Sequence, residues 1–567
     1  MINLLTNVAK FRDMLPDDEA AVFLDNNWKH WLFGKSNVFC DEILKQEEPS
    51  KLKEYLINLR NEINESYADE VDGTMTLERL IRNITKTRQV DVKTSRLIFN
   101  LQSIGPHDRN IHLSLRLNLA RTIELHIIND RKAKEIVIDE SRNRPLHILA
   151  KLGHKETIKV LLEHGAKINS VNANNKTPLH FASQGGHSNS VELLLEHKAA
   201  IDTSDSEKLT PLTLAIKKGH LEIARLLLEN KSNVDQVDNE QKTPLHHAAY
   251  AGHTKTTELL LKYNPMIDPL DIDNKRPLHY AASNNHASIV KLLLEHNATV
   301  DPKDFDDKTP LHFAASEGNT EIVNVLLEYQ AAIDSQDIYE MTPLHHAAFR
   351  GHTDTTKTLL ENKAAFRLLD SNRKTPLHFA SSEGHTDIVE LLLDNNAEID
   401  PLDDWCTTPL VVAIKGSHLD TANLLLKKNA NANIQLDDNR RMLLHWAAEG
   451  GHAETAKLLI QYVKEIDPVD SSNMTPLMLA SKGGHQETVK VLLENKADPN
   501  LLDSDKKTCL YYAVSGDHTF TAEILLKNKA MIDPLDEWEK TPLHYASQGG
   551  FTNTGKLNLS LRAAAHV

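Results

Sequence analysis

Cysteine is scarce in this sequence of 567 residues, which holds only Cys40, Cys406 and Cys509. An odd and widely separated set forms neither a disulfide framework nor a C-x-x-C metal pair. The sequence therefore predicts no disulfide and no cysteine metal site, and it indicates a reducing compartment.

Long apolar runs are also missing. No stretch approaches the ~20 residues that a membrane helix needs, and residues 1–11 lack the basic region and apolar run of a signal peptide. We therefore expect a protein without membrane insertion that works in the cytoplasm, with the nucleus as the alternative.

Concentrated positive charge is absent as well. The formal net charge is −16, the acidic and basic residues are interleaved, and no cluster of five or more Lys and Arg occurs. Nucleic acid and anionic lipid both need a basic patch, so we expect neither as a partner.

Motifs for catalysis or cofactor binding are lacking too. Gly34-Lys35-Ser36 resembles the end of a phosphate-binding loop, but Lys29 occupies the position of the required first glycine. No H-E-x-x-H, G-x-S-x-G or paired metal motif is present. The sequence predicts no catalytic residue, no cofactor and no metal, so we do not expect an enzyme.

A repeat fills most of the chain. A block that begins T-P-L-H, or a close variant, recurs every 33 residues, with one interval of 34 residues between Thr408 and Met442. Its thirteen starts are Arg144, Thr177, Thr210, Thr243, Arg276, Thr309, Thr342, Thr375, Thr408, Met442, Thr475, Thr508 and Thr541. A period of this length is typical of solenoids, which grow by stacking similar units.

One unit shows why this sequence predicts two helices. Thr309 is suited to cap a first helix by accepting from a backbone N–H, and Pro310 fits the first helical position. Gly318 can end that helix in the left-handed conformation. A second helix follows and is apolar on nearly all sides, so we expect neighbouring repeats to cover it on both sides. Its apolar residues are Ile322, Val323, Val325, Leu326 and Leu327.

The T-P-L-H-x-A-A block, the following G-H, the leucine-rich run and the final I-D strongly resemble the ankyrin repeat. The resemblance covers residues 138–551 and implies an all-α solenoid of about 13 helix–turn–helix repeats. At ~8–10 Å between packed helices, such an array extends over roughly 100 Å. The resemblance also implies a concave groove that binds proteins.

Histidine is abundant, but the repeat explains most of it. Nine of the 30 histidines occupy the fourth motif position, and eleven more lie ten residues after a motif start. The resemblance implies that they hydrogen-bond turns and helix ends. Their spacing matches no zinc pattern.

The remaining segments lack the period. We expect a small helical domain of unknown family at residues 1–110 and a degenerate capping repeat at 111–137. The insertion near residues 434–442 predicts a softer joint within the array. Residues 552–567 form either a tail or an incomplete last repeat, which leaves open that the chain is a fragment.

Candidate binding residues are the aromatics that interrupt otherwise polar turns and first-helix ends. Trp, Tyr and Arg dominate protein-binding hot spots. The candidates are Phe305, Tyr339, Trp405 and Trp538 in the turns, and Tyr250, Phe349 and Arg350 at helix ends. The alternative is that each ring packs flat on the neighbouring repeat.

The sequence thus predicts a monomeric protein-binding scaffold or adaptor. One alternative is a client-selecting subunit that the N-terminal domain recruits to a ubiquitin-ligase or phosphatase complex. A catalytic N-terminal part is a third reading, and a fragment of a larger ankyrin-containing membrane or toxin protein is a fourth. The fold alone does not choose among pathways.

Overall fold

The computed structural model describes residues 133–135, 137 and 141–551. These residues contain 25 α-helices and no strand. The predicted N-terminal helical domain, most of the predicted capping repeat and the tail at 552–567 lie outside the described residues. The described part forms two compact units, which divide after Asp271.

The first unit contains four helix pairs, preceded by a short 3-10 helix at Ala133–Glu135. Its helices are α1 (Pro145–Leu152), α2 (Lys155–Glu163), α3 (Pro178–Gln184), α4 (Ser188–Glu196), α5 (Pro211–Lys217), α6 (Leu221–Glu229), α7 (Pro244–Ala251) and α8 (Thr254–Leu261). First helices pack against first helices of the next repeat, and second helices against second helices.

The second unit repeats this arrangement from Ile272 onward. Its helices are α9 (Pro277–Ser283), α10 (Ala287–Glu295), α11 (Pro310–Ser316), α12 (Thr320–Glu328), α13 (Pro343–Arg350), α14 (Thr353–Glu361), α15 (Pro376–Ser382), α16 (Thr386–Asp394), α17 (Pro409–Lys415), α18 (Leu419–Lys427), α19 (Leu443–Glu449), α20 (Ala453–Ile460), α21 (Pro476–Lys482), α22 (Gln486–Glu494), α23 (Cys509–Ser515), α24 (Thr519–Lys527) and α25 (Pro542–Gly549).

The helix starts are confirmed, but the predicted cap at Thr309 has a different partner. The Thr309 hydroxyl lies 2.9 Å from His312 Nδ1, and no backbone N–H of α11 donates to it. The predicted cap forms in other repeats: the N–H of Thr213 donates to Thr210 Oγ1 at 3.2 Å, and that of His345 donates to Thr342 Oγ1 at 3.4 Å. At Thr309, the hydroxyl contacts the histidine ring alone.

The second helices are less completely covered than the sequence predicts. In α12, Ile322, Val323 and Leu326 are fully buried, whereas Val325 and Leu327 are only partly buried. The helix packs against the first helix of its own repeat and the second helices of the repeats on either side, and within the described residues no further layer of helices lies outside it. Gly318, with a φ of 72°, follows α11 in the left-handed conformation, as expected.

Between repeats, the chain forms a tight turn around a buried aspartate. In the turn that begins at Asp337, the N–H groups of Tyr339 and Met341 donate to Asp337 Oδ1 at 2.9 and 3.0 Å. The next residue, Ile338, donates its N–H to the carbonyl of Asp306 in the preceding turn at 3.0 Å. We call this inter-repeat bond the turn link.

The turn link recurs through the second unit with one break. It joins Ser371 to Tyr339, Asp404 to Asn372, Ser471 to Asn439, Ser504 to Ser472 and Glu537 to Asp505. Among the described turns of this unit, only the turn at 437–441 lacks a link to the turn before it. That turn contains the extra residue and closes on itself instead, through a bond from Leu436 N–H to Arg441 O at 2.7 Å.

We propose that the missing link makes a softer joint at residues 434–442. Local opening is easier where backbone groups lack partners. Amide hydrogen exchange should therefore be faster at residues 434–442 than at 467–475, the equivalent turn of the next repeat. Equal protection from exchange in the two segments would show that residues 434–442 form no softer joint.

Candidate functional site

The predicted binding residues in the described chain are all exposed. The largest exposed fraction belongs to Phe305, at 75%, while Trp405, Trp538 and Tyr339 are exposed by 59%, 55% and 55%. The four turn rings are thus mostly open to solvent, whereas Phe349 is exposed by only 37% and contacts a ring of the next repeat. Tyr250 lies in the first unit, and the other six residues lie in the second.

Three of these residues, Phe349, Arg350 and Trp405, lie in one surface together with Lys374 and Phe379. We call these five side chains the cation–aromatic cluster. The Phe349 and Phe379 rings contact edge to face, with centroids 5.8 Å apart. Lys374 Nζ lies 5.8 Å from the Phe379 centroid and 5.0 Å from that of Trp405. The Arg350 guanidinium lies 5.8 Å from the Phe349 ring.

The repeat geometry brings these side chains together. Phe349 and Arg350 occupy the last turn of α13, which Gly351 ends with a φ of 82°. Lys374 precedes Thr375, the N-cap residue of α15, and Phe379 lies within α15. One repeat later, a turn displays Trp405. Adjacent repeats stack in register, so residues far apart in sequence form one row.

Trp405 is held by the turn around Asp403. The buried Asp403 carboxylate accepts from the N–H of Trp405 at 3.0 Å and from the N–H of Thr407 at 2.8 Å. Its second oxygen accepts from the Thr407 hydroxyl at 2.7 Å. These bonds fix the backbone that carries the exposed indole ring.

The structure does not bring the other candidates into this cluster. Tyr339 lies in the turn linked to that of Lys374 through its own carbonyl, but no ring contact joins it to the five side chains. Trp538 belongs to a second group, in which Lys507 lies 4.7 Å from its ring and 5.8 Å from that of Tyr545. Lys507 also pairs with Asp505 at 3.0 Å.

Sequence reasoning missed Lys374 and Phe379, because both occupy ordinary positions of the repeat. It also missed a row of exposed apolar residues, each directly before a turn aspartate. Their exposed fractions range from 38% to 58%: Leu369, Leu402, Val469, Leu502 and Leu535. The signal was available, since an apolar residue recurs at a surface position of successive repeats.

The fourth-position histidines are structural groups. In His345, Nδ1 accepts from the backbone N–H of Thr342 at 3.1 Å, and Nε2 donates to the carbonyl of Lys374 at 3.2 Å. Burial lowers the pKa of His180, His279, His312 and His345 to about 4. It lowers the pKa of His147, His378 and His445 as well.

The histidines ten residues after each motif start also join repeats. His352 Nε2 bonds to the carbonyl of Ser316 at 2.9 Å, and His385 Nε2 to that of Phe349 at 3.1 Å. The latter bond holds the end of α13 where Phe349 is displayed. Across residues 141–551, no three side chains are grouped as metal ligands.

The stacked helix pairs, the aspartate turns and the histidine bonds agree with comparison to known families. A model described as ankyrin repeats, three copies, matches residues 112–205, 199–273, 264–337, 331–403, 410–503 and 495–558. The chain belongs to the ankyrin-repeat family. Ankyrin repeats are protein–protein interaction modules and are typically non-catalytic.

Among solved structures, this ankyrin-repeat chain is similar to the ankyrin repeat domain of human ASB11. The identity is 30%, over 39% of this chain and 99% of that domain, with a TM-score of 0.37. None of the curated protein sequences matches the chain. Within the described residues, every helix is too short or too polar to span a bilayer.

Proposed function

We propose that this chain is a monomeric protein-binding scaffold or adaptor that performs no catalysis. The observation that carries the proposal is the cation–aromatic cluster, in which exposed rings and cations from adjacent repeats form one surface. Trp, Tyr and Arg are the side chains that contribute most to protein interfaces. An interface uses ~20–30 residues a side, so a few adjacent repeats provide enough area.

The titratable groups favour binding over catalysis. Burial raises the pKa of the Cys509 thiol well above its usual range, which suppresses the thiolate that a nucleophile needs. The low-pKa histidines each bond to a turn carbonyl, as His345 does. These arrangements support a structural role for both residue types.

A finer role is part of the proposal. The array selects a client, and residues 1–137 recruit machinery such as a ubiquitin ligase or a phosphatase. The proposed location is the cytoplasm, with the nucleus as the alternative, because sparse cysteine indicates a reducing compartment. A larger membrane or toxin protein that contains this array is the second alternative.

Affinity purification with mass spectrometry tests this division of roles. The full chain, residues 138–551 and residues 1–137 serve as separate baits. Clients captured by the array, together with different proteins captured by the N-terminal segment, would support an adaptor. Capture of the same proteins by all three baits would contradict it, and turnover of a small molecule by the purified chain would contradict the absence of catalysis.

We predict that replacing Trp405 and Tyr339 together by alanine weakens the binding of a client protein to the second unit. Two exposed aromatic anchors at an interface contribute ~2 kcal/mol or more, so the expected loss is about 30-fold. The measurement is the dissociation constant of a captured client. The melting curve should hardly change, since both side chains are more than half exposed.

Phe520→Ala is the matched control for this pair. Phe520 is 67% exposed but lies on α24, a second helix, away from the turns. The Phe520→Ala variant should bind the same client with the affinity of the parent chain. If the Trp405 and Tyr339 variant lost stability in proportion to binding, these residues would be packing residues instead.

A further inference from the structure

The cation–aromatic cluster carries positive charge that the described chain does not neutralise. Arg350 and Lys374 belong to the cluster, and Arg373 is exposed directly before Lys374. Among the described residues, none of these three cations forms an ion pair with a carboxylate. These three cations are grouped in one surface of a chain whose formal net charge is −16.

Comparison with equivalent lysines makes the difference clear. Lys308 and Lys507 occupy the position of Lys374 in other turns. Lys308 pairs with Asp306 at 3.5 Å, and Lys507 pairs with Asp505 at 3.0 Å. The corresponding neighbour of Lys374 is Asn372, which carries no charge. Within the described chain, Lys308 and Lys507 therefore have a carboxylate partner that Lys374 lacks; Lys540, at the same position with Trp538 as its neighbour, lacks one too and lies 5.7 Å from the Tyr545 centroid.

The Lys374 ammonium lies between two rings, as that of Lys507 does, but without a carboxylate partner among the described residues. It lies 5.8 Å from the Phe379 centroid and 5.0 Å from that of Trp405. An ammonium over an aromatic face is oriented by the ring quadrupole while its donors remain available. Arg350 is placed in the same way on Phe349, at 5.8 Å. The cluster thus presents oriented cations beside apolar surface.

We propose that this cluster binds an acidic linear peptide segment of a partner protein, in which an aromatic or large apolar side chain is flanked by Asp or Glu. This rests on the proposed protein-binding function and names the class of partner. The carboxylates pair with Arg350, Arg373 and Lys374, and the apolar side chain packs against Phe349, Phe379 and Trp405. Guanidinium groups bind carboxylates with two parallel hydrogen bonds, which adds geometric selectivity.

Two exposed carboxylates border the cluster and limit the ligand. Glu383 lies beside Ser382, whose hydroxyl is 3.4 Å from Glu383 Oε1, and Asp404 precedes Trp405. Like charges repel at short range. The segment therefore carries its carboxylates near Arg350 and Lys374 and uncharged residues near Asp404.

Selection of displayed random peptides on the full chain tests the proposal. We expect the enriched peptides to combine an aromatic or large apolar residue with neighbouring Asp or Glu. The most enriched peptide, synthesised with a fluorescent label, is then measured by anisotropy. Its affinity should fall by about tenfold or more for the Arg350→Gln and Lys374→Gln double variant, which corresponds to the loss of charge-assisted bonds. Added salt should weaken it as well.

Lys308→Gln is the matched control, because Lys308 has its own carboxylate and lies outside the cluster. It should bind the peptide normally. Both variants should melt close to the parent chain, as expected for surface substitutions. The charge requirement is checked with a peptide in which every Asp and Glu is replaced by Asn and Gln.

Three results would overturn the proposal: enriched peptides without net negative charge, equal binding of the amide peptide, or unchanged binding by the double variant. A separate outcome is that the array captures clients whose binding is lost in the Trp405 and Tyr339 variant. If that happens together with any of the three results, the acidic ligand is wrong and the scaffold function stands. If neither peptides nor clients bind the array, both fail.

Discussion

Lowering the pH from neutrality to about 4.5 is expected to unfold the second unit, because its buried histidines must then take up protons. Burial lowers the pKa of His279, His312 and His345 from the ordinary 6.5 to about 4. The unfolded chain therefore binds protons between pH 6.5 and pH 4 that the folded chain excludes. Stability is complete above pH 6.5 and decreases as the pH falls toward 4.

The hydrogen bonds explain why these rings resist protonation. Nδ1 of His345 faces a backbone N–H donor, and the same contact occurs at His312 and His279 at 3.1 and 2.9 Å. A proton on Nδ1 would oppose that donor. Near His312, the His346 ring, with its centroid 5.6 Å away, adds repulsion when charged.

The expected loss is large. Each group contributes about 1.4 kcal/mol for every pH unit below its unfolded pKa. At about pH 5 the three histidines together therefore remove on the order of 6 kcal/mol, which is comparable with the whole stability of many domains. Circular dichroism against pH measures the transition.

The chain offers its own control for this prediction. At the fourth position of a later repeat stands Met478, whose sulfur lies 3.4 Å from the backbone nitrogen of Thr475. His345→Met copies that contact without a titrating group. The variant should show a shallower loss of stability between pH 6.5 and 4. An identical acid transition in the variant and the parent would mean that other groups cause it.

The sequence predicted the helical repeat closely, since each element has a local cause. Pro310 at the first helical position and Gly318 after the helix both lie where expected. What the sequence did not predict depends on neighbouring repeats. The Thr309 hydroxyl contacts His312 instead of a backbone N–H, and the outer side of α12 stays partly open. The His312 ring that contacts the hydroxyl is itself held by the carbonyl of Met341 in the next repeat at 3.0 Å, so both outcomes depend on the neighbouring unit.

The candidate site also contains residues that the sequence predicted and residues that it did not. Trp405, Phe349 and Arg350 were recognisable because they are large residues at polar positions. Lys374 and Phe379 were not, because a lysine before T-P-L-H and an aromatic after it are common in this chain. Only the stacking of repeats shows that Lys374 contacts the rings of two successive repeats. A site that forms through the register between repeats is evident in the structure but not in the sequence pattern of one repeat.

Replacing Asp403 by alanine is expected to damage the turn that displays Trp405. The buried carboxylate accepts from two backbone N–H groups, at 3.0 and 2.8 Å, and from the Thr407 hydroxyl at 2.7 Å. Alanine removes both acceptor oxygens and leaves the three donors without these partners. Bonds to a charged group contribute ~1.5–3 kcal/mol each, and water replaces part of this bonding around the exposed Trp405, so we expect a loss of about 3–5 kcal/mol.

Asp437 provides the comparison, because it has the same role in the turn with the extra residue. It is exposed, and the only N–H that donates to its side chain within the described chain is that of Arg441, at 3.1 Å. Asp437→Ala should change stability by no more than about 0.5–1 kcal/mol. Denaturant unfolding measures both variants, and hydrogen exchange at residues 403–407 locates the damage. Similar losses in the two variants would show that the extra residue leaves the turn as strong as its neighbours, and the softer joint at 434–442 would then be wrong as well.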